Sequence, residues 1–250
     1  MCGILTPDSG ICKINGLIPY KDRKKYVKDI GVVFGNRSAL WWDVPVEDSF
    51  ELIKEIYGIS DETYKRQKNM LVEMLNIKEI IKTPTRQLSL GQRMRCEIAA
   101  AFLHEPKIVF LDEPTIGLDV LAKDNIRAFL REINKEKNTT VLLTTHDMTD
   151  IESVCDRLVL INSGSVLYDG GLNAFKEQYS KGYSIRVTFA DPKEAIQDTR
   201  FELIEKKDAE SIYHVSQSDF QPGEALAFLA SHCKMQDISI IAVSYTHLTL

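Results

Sequence analysis

The residues best placed to do chemistry are Asp112 and Glu113, which end the apolar run Ile108-Val109-Phe110-Leu111. A wholly apolar strand belongs inside a parallel sheet, and such sheets bind their ligands at the C-terminal strand ends. There Asp112 can hold Mg²⁺, usually through water, because hard cations prefer oxygen. Glu113 can orient and polarise an attacking water as a general base. Taken alone, the pair also reads as two carboxylates that merely precede the Pro114-Thr115 turn. A second signal is Leu88-Ser89-Leu90-Gly91-Gln92, which opens a helix where unpaired N–H groups and the positive dipole end attract phosphate. Ser89 can donate its hydroxyl there and Gly91 can admit a phosphate to the backbone; equally, Ser89 can be a simple N-cap. Gly117-Leu118-Asp119 lies just beyond the carboxylates. Val141-Leu142-Leu143-Thr144-Thr145-His146 ends another strand with a histidine on the same sheet edge, although a lone histidine after a strand is more often structural.

The elements that must position these residues follow from hydrophobic periodicity. The Asn15-Gly16 pair predicts a short antiparallel hairpin across 11–18, and 30–34 reads as a buried strand ending at Gly35. From 46 to about 81 the apolar spacing is helical, and a further helix follows Ser89 and stops at Pro106. Strand runs at 108–111, 141–143 and 158–161 alternate with helical segments at 121–137 and 149–154, the pattern of a parallel α/β sheet. After an Asn162-Ser163-Gly164 turn, a short strand at 166–168 and a helix at 172–179, Lys181-Gly182 is a plausible boundary. Beyond it, alternation at 185–189, 201–204 and 212–215 with a helix at 224–230 predicts a small α+β module.

Composition narrows the function classes. The chain has 250 residues, 44% hydrophobic and 27% charged, enough to fold on its own core. Its net charge of −5 gives no global positive field for a nucleic-acid backbone, and the basic run at 21–28 reads as a solvated helix face. The five cysteines are scattered without a Cys-x-x-Cys pair, the pattern of reduced thiols in a cytosolic protein. No apolar run approaches the about 18 residues of a membrane span, and no signal peptide leads the chain.

Taken together, 88–92, 108–113, 117–119 and His146 resemble the signature motif, Walker B strand, D-loop and switch histidine of ABC-type ATPases, in that order. Leu40-Trp41-Trp42-Asp43 and Leu90 look most like ATPase subunits of bacterial exporters with a separate permease. The resemblance implies an α/β, P-loop NTPase-like core over 1–180, with a helical subdomain at about 46–105 and its N-terminal part missing, then a small α+β extension at 183–240. It implies ATP and Mg²⁺ as cofactors, with Asp112 positioning the metal, Glu113 activating water and His146 contacting the γ-phosphate. Ser89, Gly91 and Gln92 would bind the γ-phosphate held by a second subunit, and Asp119 would couple the two sites of a head-to-tail dimer. The implied partners are transmembrane permease subunits and a second ATPase subunit, with no nucleic acid, on the cytoplasmic face of the membrane. The alternatives are a soluble ABC-type ATPase without a transport role and a catalytically silent partner in a heterodimer.

The sequence departs from that family in three places. No G-x-x-x-x-G-K-[ST] loop is present, since none of the 13 glycines precedes a lysine, so the chain is expected to begin internally and to be inactive as a fragment. Asn36 stands where the family usually has a glutamine that reaches metal and permease; the amide is kept, one methylene shorter. The end, 243–250, fits no family element and looks like translated adapter sequence. Trp41 and Trp42 are expected to pack where their segment meets the helical insert and the permease.

Overall fold

The computed structural model describes residues 1–241 apart from 36, 180–181, 192–194 and 217–218. The readings made for Asn36 and for 243–250 therefore lie outside the described residues. Two compact units are present, Met1–Val154 and Cys155–Leu250.

In the first unit, α1 (Arg23–Tyr26) leads into β1 (Ile30–Phe34), and α2 (Val46–Tyr57) and α3 (Asp61–Met74) form the helical insert. Then come α4 (Leu90–Phe102), β2 (Ile108–Asp112), α5 (Val120–Lys137), β3 (Thr140–Thr144) and α6 (Met148–Val154). The strands pair in parallel in the order β1-β2-β3, with Ile30, Ile108 and Thr140 level at one end and Phe34, Asp112 and Thr144 level at the other. This in-register arrangement matches the α/β expectation and delivers three chain ends to one edge.

Local chemistry sets the helix limits. Ser60 accepts from Thr63 N to start α3, and the left-handed Gly58 (φ 64°) ends α2. The apolar faces of α2, α3 and α4 close on Phe50, Leu71, Leu75 and Ile98, all wholly buried, and this core continues onto Val109 and Leu111 of β2. Glu97 of α4 is buried with it. Its carboxylate accepts from Ser38 Oγ and from Ala39 N (2.9 Å), tying the segment after β1 to the helix. Burial raises the Glu97 pKa, and these hydrogen bonds oppose the rise.

The hairpin expected across 11–18 is reduced to one bridge, Ile14 to Leu17, around Asn15 and Gly16 at φ 48° and 80°. The basic helix is solvated as expected, with Tyr26 turned inward. Trp41 and Trp42 are 46% and 52% exposed, and the Arg93 guanidinium of α4 lies over the Trp42 ring, 5.9 Å from its centroid. Their backbone docks as well: Trp41 N donates to Ser49 Oγ (3.0 Å) and Trp42 O accepts from Arg86 N (3.0 Å).

The second unit carries β4 (Arg157–Asn162), β5 (Ser165–Gly171) and α7 (Leu172–Tyr179), then β6 (Gly182–Phe189), β7 (Phe201–Lys207), β8 (Glu210–Ser216), α8 (Pro222–His232) and β9 (Met235–Ile241). The run at 158–161 does not join the parallel sheet. It pairs antiparallel with β5, Arg157 opposite Gly171 and Asn162 opposite Ser165. The reason is the tight turn: Ser163 and Gly164 both have positive φ (48° and 78°), which reverses the chain at once, whereas a parallel partner needs a long crossover. The expected α+β module is a four-stranded antiparallel sheet, β7-β8-β6-β9, with α8 contributing Ala225 and Leu229 to its core. Sequence reasoning missed β9, although Ile238 and Ile240 alternate there. No helix among the described residues is long and apolar enough to cross a membrane.

Gly31 shows how closely sheet and helix approach: a Cβ there would lie 2.5 Å from the backbone oxygen of Ala101 on α4. Gly31→Ala is expected to destabilise the first unit by about 1–3 kcal/mol through overpacking, measured by denaturant unfolding against wild type.

Candidate functional site

The parallel register between β2 and β3 sets Asp112 directly beside Thr144. Asp112 Oδ1 accepts from Thr144 Oγ1 at 2.7 Å, which orients an exposed carboxylate at the strand end. The next residue leaves the strand. Glu113 N donates to Thr144 O (3.1 Å), and the backbone then takes the left-handed region at Glu113 (φ 49°), a conformation uncommon outside glycine. That turn carries the Glu113 side chain to His146, with Oε1 and Nδ1 3.0 Å apart. Gly35, at the end of β1, lies alongside: a Cβ there would stand 3.1 Å from Asp112 O.

The electrostatics follow from this contact. The hydrogen bond and negative charge of Glu113 raise the His146 pKa, with Asp147 adding to the rise and slight desolvation and Lys123 opposing it. The imidazole is 66% exposed and the Glu113 side chain 32%, so water reaches both. Asp147 is held by Lys123 (2.8 Å) and its pKa is lowered to about 2, chiefly by that hydrogen bond.

The second group expected from the sequence gathers where α4 and α5 begin. Ser89 and Gln92 form a reciprocal cap: Gln92 N donates to Ser89 Oγ (3.2 Å) and Ser89 N to Gln92 Oε1 (2.9 Å). The N-cap reading of Ser89 is thus realised, and because its oxygen is the acceptor, its O–H proton remains available to an outside acceptor. Gly91 is buried against the start of α5, where a Cβ would stand 2.9 Å from Ala122 Cβ. Asp119 caps α5 through Oδ1, which accepts from Ala122 N (2.9 Å). Among the described residues no hydrogen bond or ion pair joins this group to Asp112, Glu113 or His146, so the candidate residues fall into two separate clusters.

Sequence reasoning missed Thr115, Arg127, Thr144 and Asp150, which brace the first cluster. Thr144 Oγ1 donates to Asp112, while Arg127 and Asp150 form a buried ion pair. One signal pointed to Arg127: a charged residue on the buried face of α5, among Ile126, Phe129, Leu130 and Ile133.

Comparison with known proteins bears on what this arrangement is for. The ABC transporter family profile matches residues 1–116. The chain is 27% identical over 177 residues to the ABC transporter ATP-binding protein NatA of Bacillus subtilis, covering 71% of this chain and 72% of that one. It is 33% identical over 182 residues to the energy-coupling factor transporter ATP-binding protein EcfA2 of Clostridium perfringens, covering 70% of this chain and 64% of that one. A solved dimeric ATP-binding cassette bound to ADP and phosphate superposes with a TM-score of 0.59 at 25% identity, covering 68% of this chain and 76% of that one. Over about 70% of its length the chain is similar to ABC transporter ATP-binding subunits. It spans 72% and 64% of the length of these two bacterial relatives and 22% of a relative in Dictyostelium discoideum, ABC transporter A family member 8.

Because the folded His146 pKa is raised, its attraction to Glu113 is fully present below the ordinary value near 6.5 and is lost as pH rises through the raised one. An NMR titration of the imidazole is expected to show a midpoint above that ordinary value in wild type and a lower one in Glu113→Gln.

Proposed function

We propose that this protein is the ATP-binding and ATP-hydrolysing subunit of an ABC export system, coupling MgATP hydrolysis to solute movement through a separate permease. The observation that supports it most is the 3.0 Å contact of Glu113 with His146, beside Asp112 at a parallel sheet edge. In this reading Glu113 orients the attacking water and takes its proton, and His146 hydrogen-bonds the γ-phosphate. Asp112, with Asn36, would hold Mg²⁺, which neutralises charge on the phosphate oxygens. The donor set suits that ion, because Mg²⁺ keeps waters and phosphate oxygens around one or two carboxylates and Asp112 presents an exposed one oriented by Thr144.

Ser89, Gly91 and Gln92 then meet the nucleotide of a second subunit, with Asp119 coupling the two sites. The exposed Leu90, Ile116, Val120 and Leu121 support such a contact, because apolar side chains left outward in that number favour burial against a partner. Trp41 and Trp42 supply a candidate surface for the permease, which would hold the protein on the cytoplasmic face. Residues 1–180 form the ATPase part and 183–240 an appended module.

The sequence contains no G-x-x-x-x-G-K-[ST] loop. Calorimetric titration of the chain with MgATP is expected to give no binding heat; clear binding would mean that another segment replaces that loop. In a form that carries the loop, Glu113→Gln is expected to keep nucleotide binding and lose about 10²–10⁴-fold in hydrolysis, read by phosphate release. Wild-type turnover in that variant would refute the assignment.

A further inference from the structure

Asp150, in α6, is wholly buried and takes donors from three other segments. Its Oδ1 accepts from Arg127 Nε at 2.7 Å and lies 2.5 Å from Arg127 Nη2. Its Oδ2 accepts from Thr145 Oγ1 at 3.2 Å and from Thr115 Oγ1. Thr115 lies two residues beyond Glu113, and Thr145 immediately precedes His146. A single carboxylate oxygen therefore receives one hydroxyl from each of the two segments whose side chains meet at the sheet edge. Asp150 itself touches neither Glu113 nor His146.

The rest of the bracing converges on the same point. Thr145 Oγ1 also accepts from Asp147 N (3.0 Å), and Asp147 is in turn 3.7 Å from Arg127 and 2.8 Å from Lys123. On the other side, the turn after β2 closes through Ile116 N to Glu113 O (3.2 Å) and Leu118 N to Thr115 O (3.3 Å). A buried carboxylate is tolerated only with its charge paired and its lone pairs filled, which Arg127 and the two hydroxyls accomplish together. Among the described residues Arg127 is the cation that answers the charge. Either hydroxyl can thus be removed without unpairing a buried ion.

We propose that Asp150 is a positioning residue that sets the separation of Glu113 and His146 by drawing Thr115 and Thr145 onto one oxygen. The inference rests on reading Glu113 and His146 as the hydrolytic pair. Its test uses no nucleotide, so an error in that reading appears in turnover assays and an error here appears in the spectrum. The groups that face His146 are Glu113, Asp147 and Lys123; Thr115→Val alters none of their contacts, whereas Thr145→Val also removes the acceptor of Asp147 N, so Thr115→Val is the decisive variant.

The experiment is an NMR titration of the histidine side chains of the full chain, with His146 assigned through His146→Gln. Glu113→Gln supplies the midpoint of an imidazole without its partner. Thr115→Val and Thr145→Val are each expected to lower the His146 midpoint toward that reference, and Thr115→Ser to restore the wild-type value. Asp150→Asn, where it folds, is expected to behave like the valine variants; where it does not fold, the threonine variants decide. Folded valine variants that titrate like wild type would overturn the proposal. Valine variants too unstable to titrate would overturn it as well, because they would make the network structural alone.

Discussion

The in-register parallel pairing of β2 with β3 is the constraint on which the first cluster depends. Because Asp112 is level with Thr144, the first carboxylate meets a hydroxyl donor and the residue after it meets a backbone oxygen. A slip of one residue would turn Glu113 and His146 to opposite faces. The register is secured by apolar burial of Val109 and Leu111 in the core they share with α4 and α5, so packing some distance from the edge fixes the chemistry at it.

The second dependence is on two buried acids. Glu97 holds the segment after β1, and Asp150 holds the segments after β2 and β3, each through hydroxyl or amide donors from a neighbouring chain end. Ionised groups inside a protein are costly unless every lone pair is answered, and that cost makes their partners' positions stringent. A sheet edge of three loops is otherwise a mobile place, and such buried anchors turn it into a site of fixed geometry.

The glycines at close contacts carry a parallel lesson. Gly31 lets β1 press on α4, and Gly91 lets α4 press on the start of α5. Gly91 also packs at the junction of two capped helices, whose unpaired N–H groups favour an anion there.

Much was legible in the sequence because it follows from local rules. Periodicity marked β1, β2, β3, α5 and α6 within one or two residues, the Ser89 cap announced the start of α4, and ordered motifs pointed to a family resemblance, while the helical segment expected from 46 to about 81 divides into α2 and α3 and ends at Met74. What tertiary structure alone decided was pairing and support. The apolar run at 158–161 is equally suited to either kind of sheet, and only the turn at Ser163 and Gly164 committed it to antiparallel pairing with β5. Likewise, no spacing rule links Thr115, Arg127, Thr145 and Asp150, because hydrogen bonds among residues up to 35 positions apart arise only when strand order and helix packing bring them together. The sequence by itself determined which groups stand at the strand ends; the fold determined what holds them at working distance.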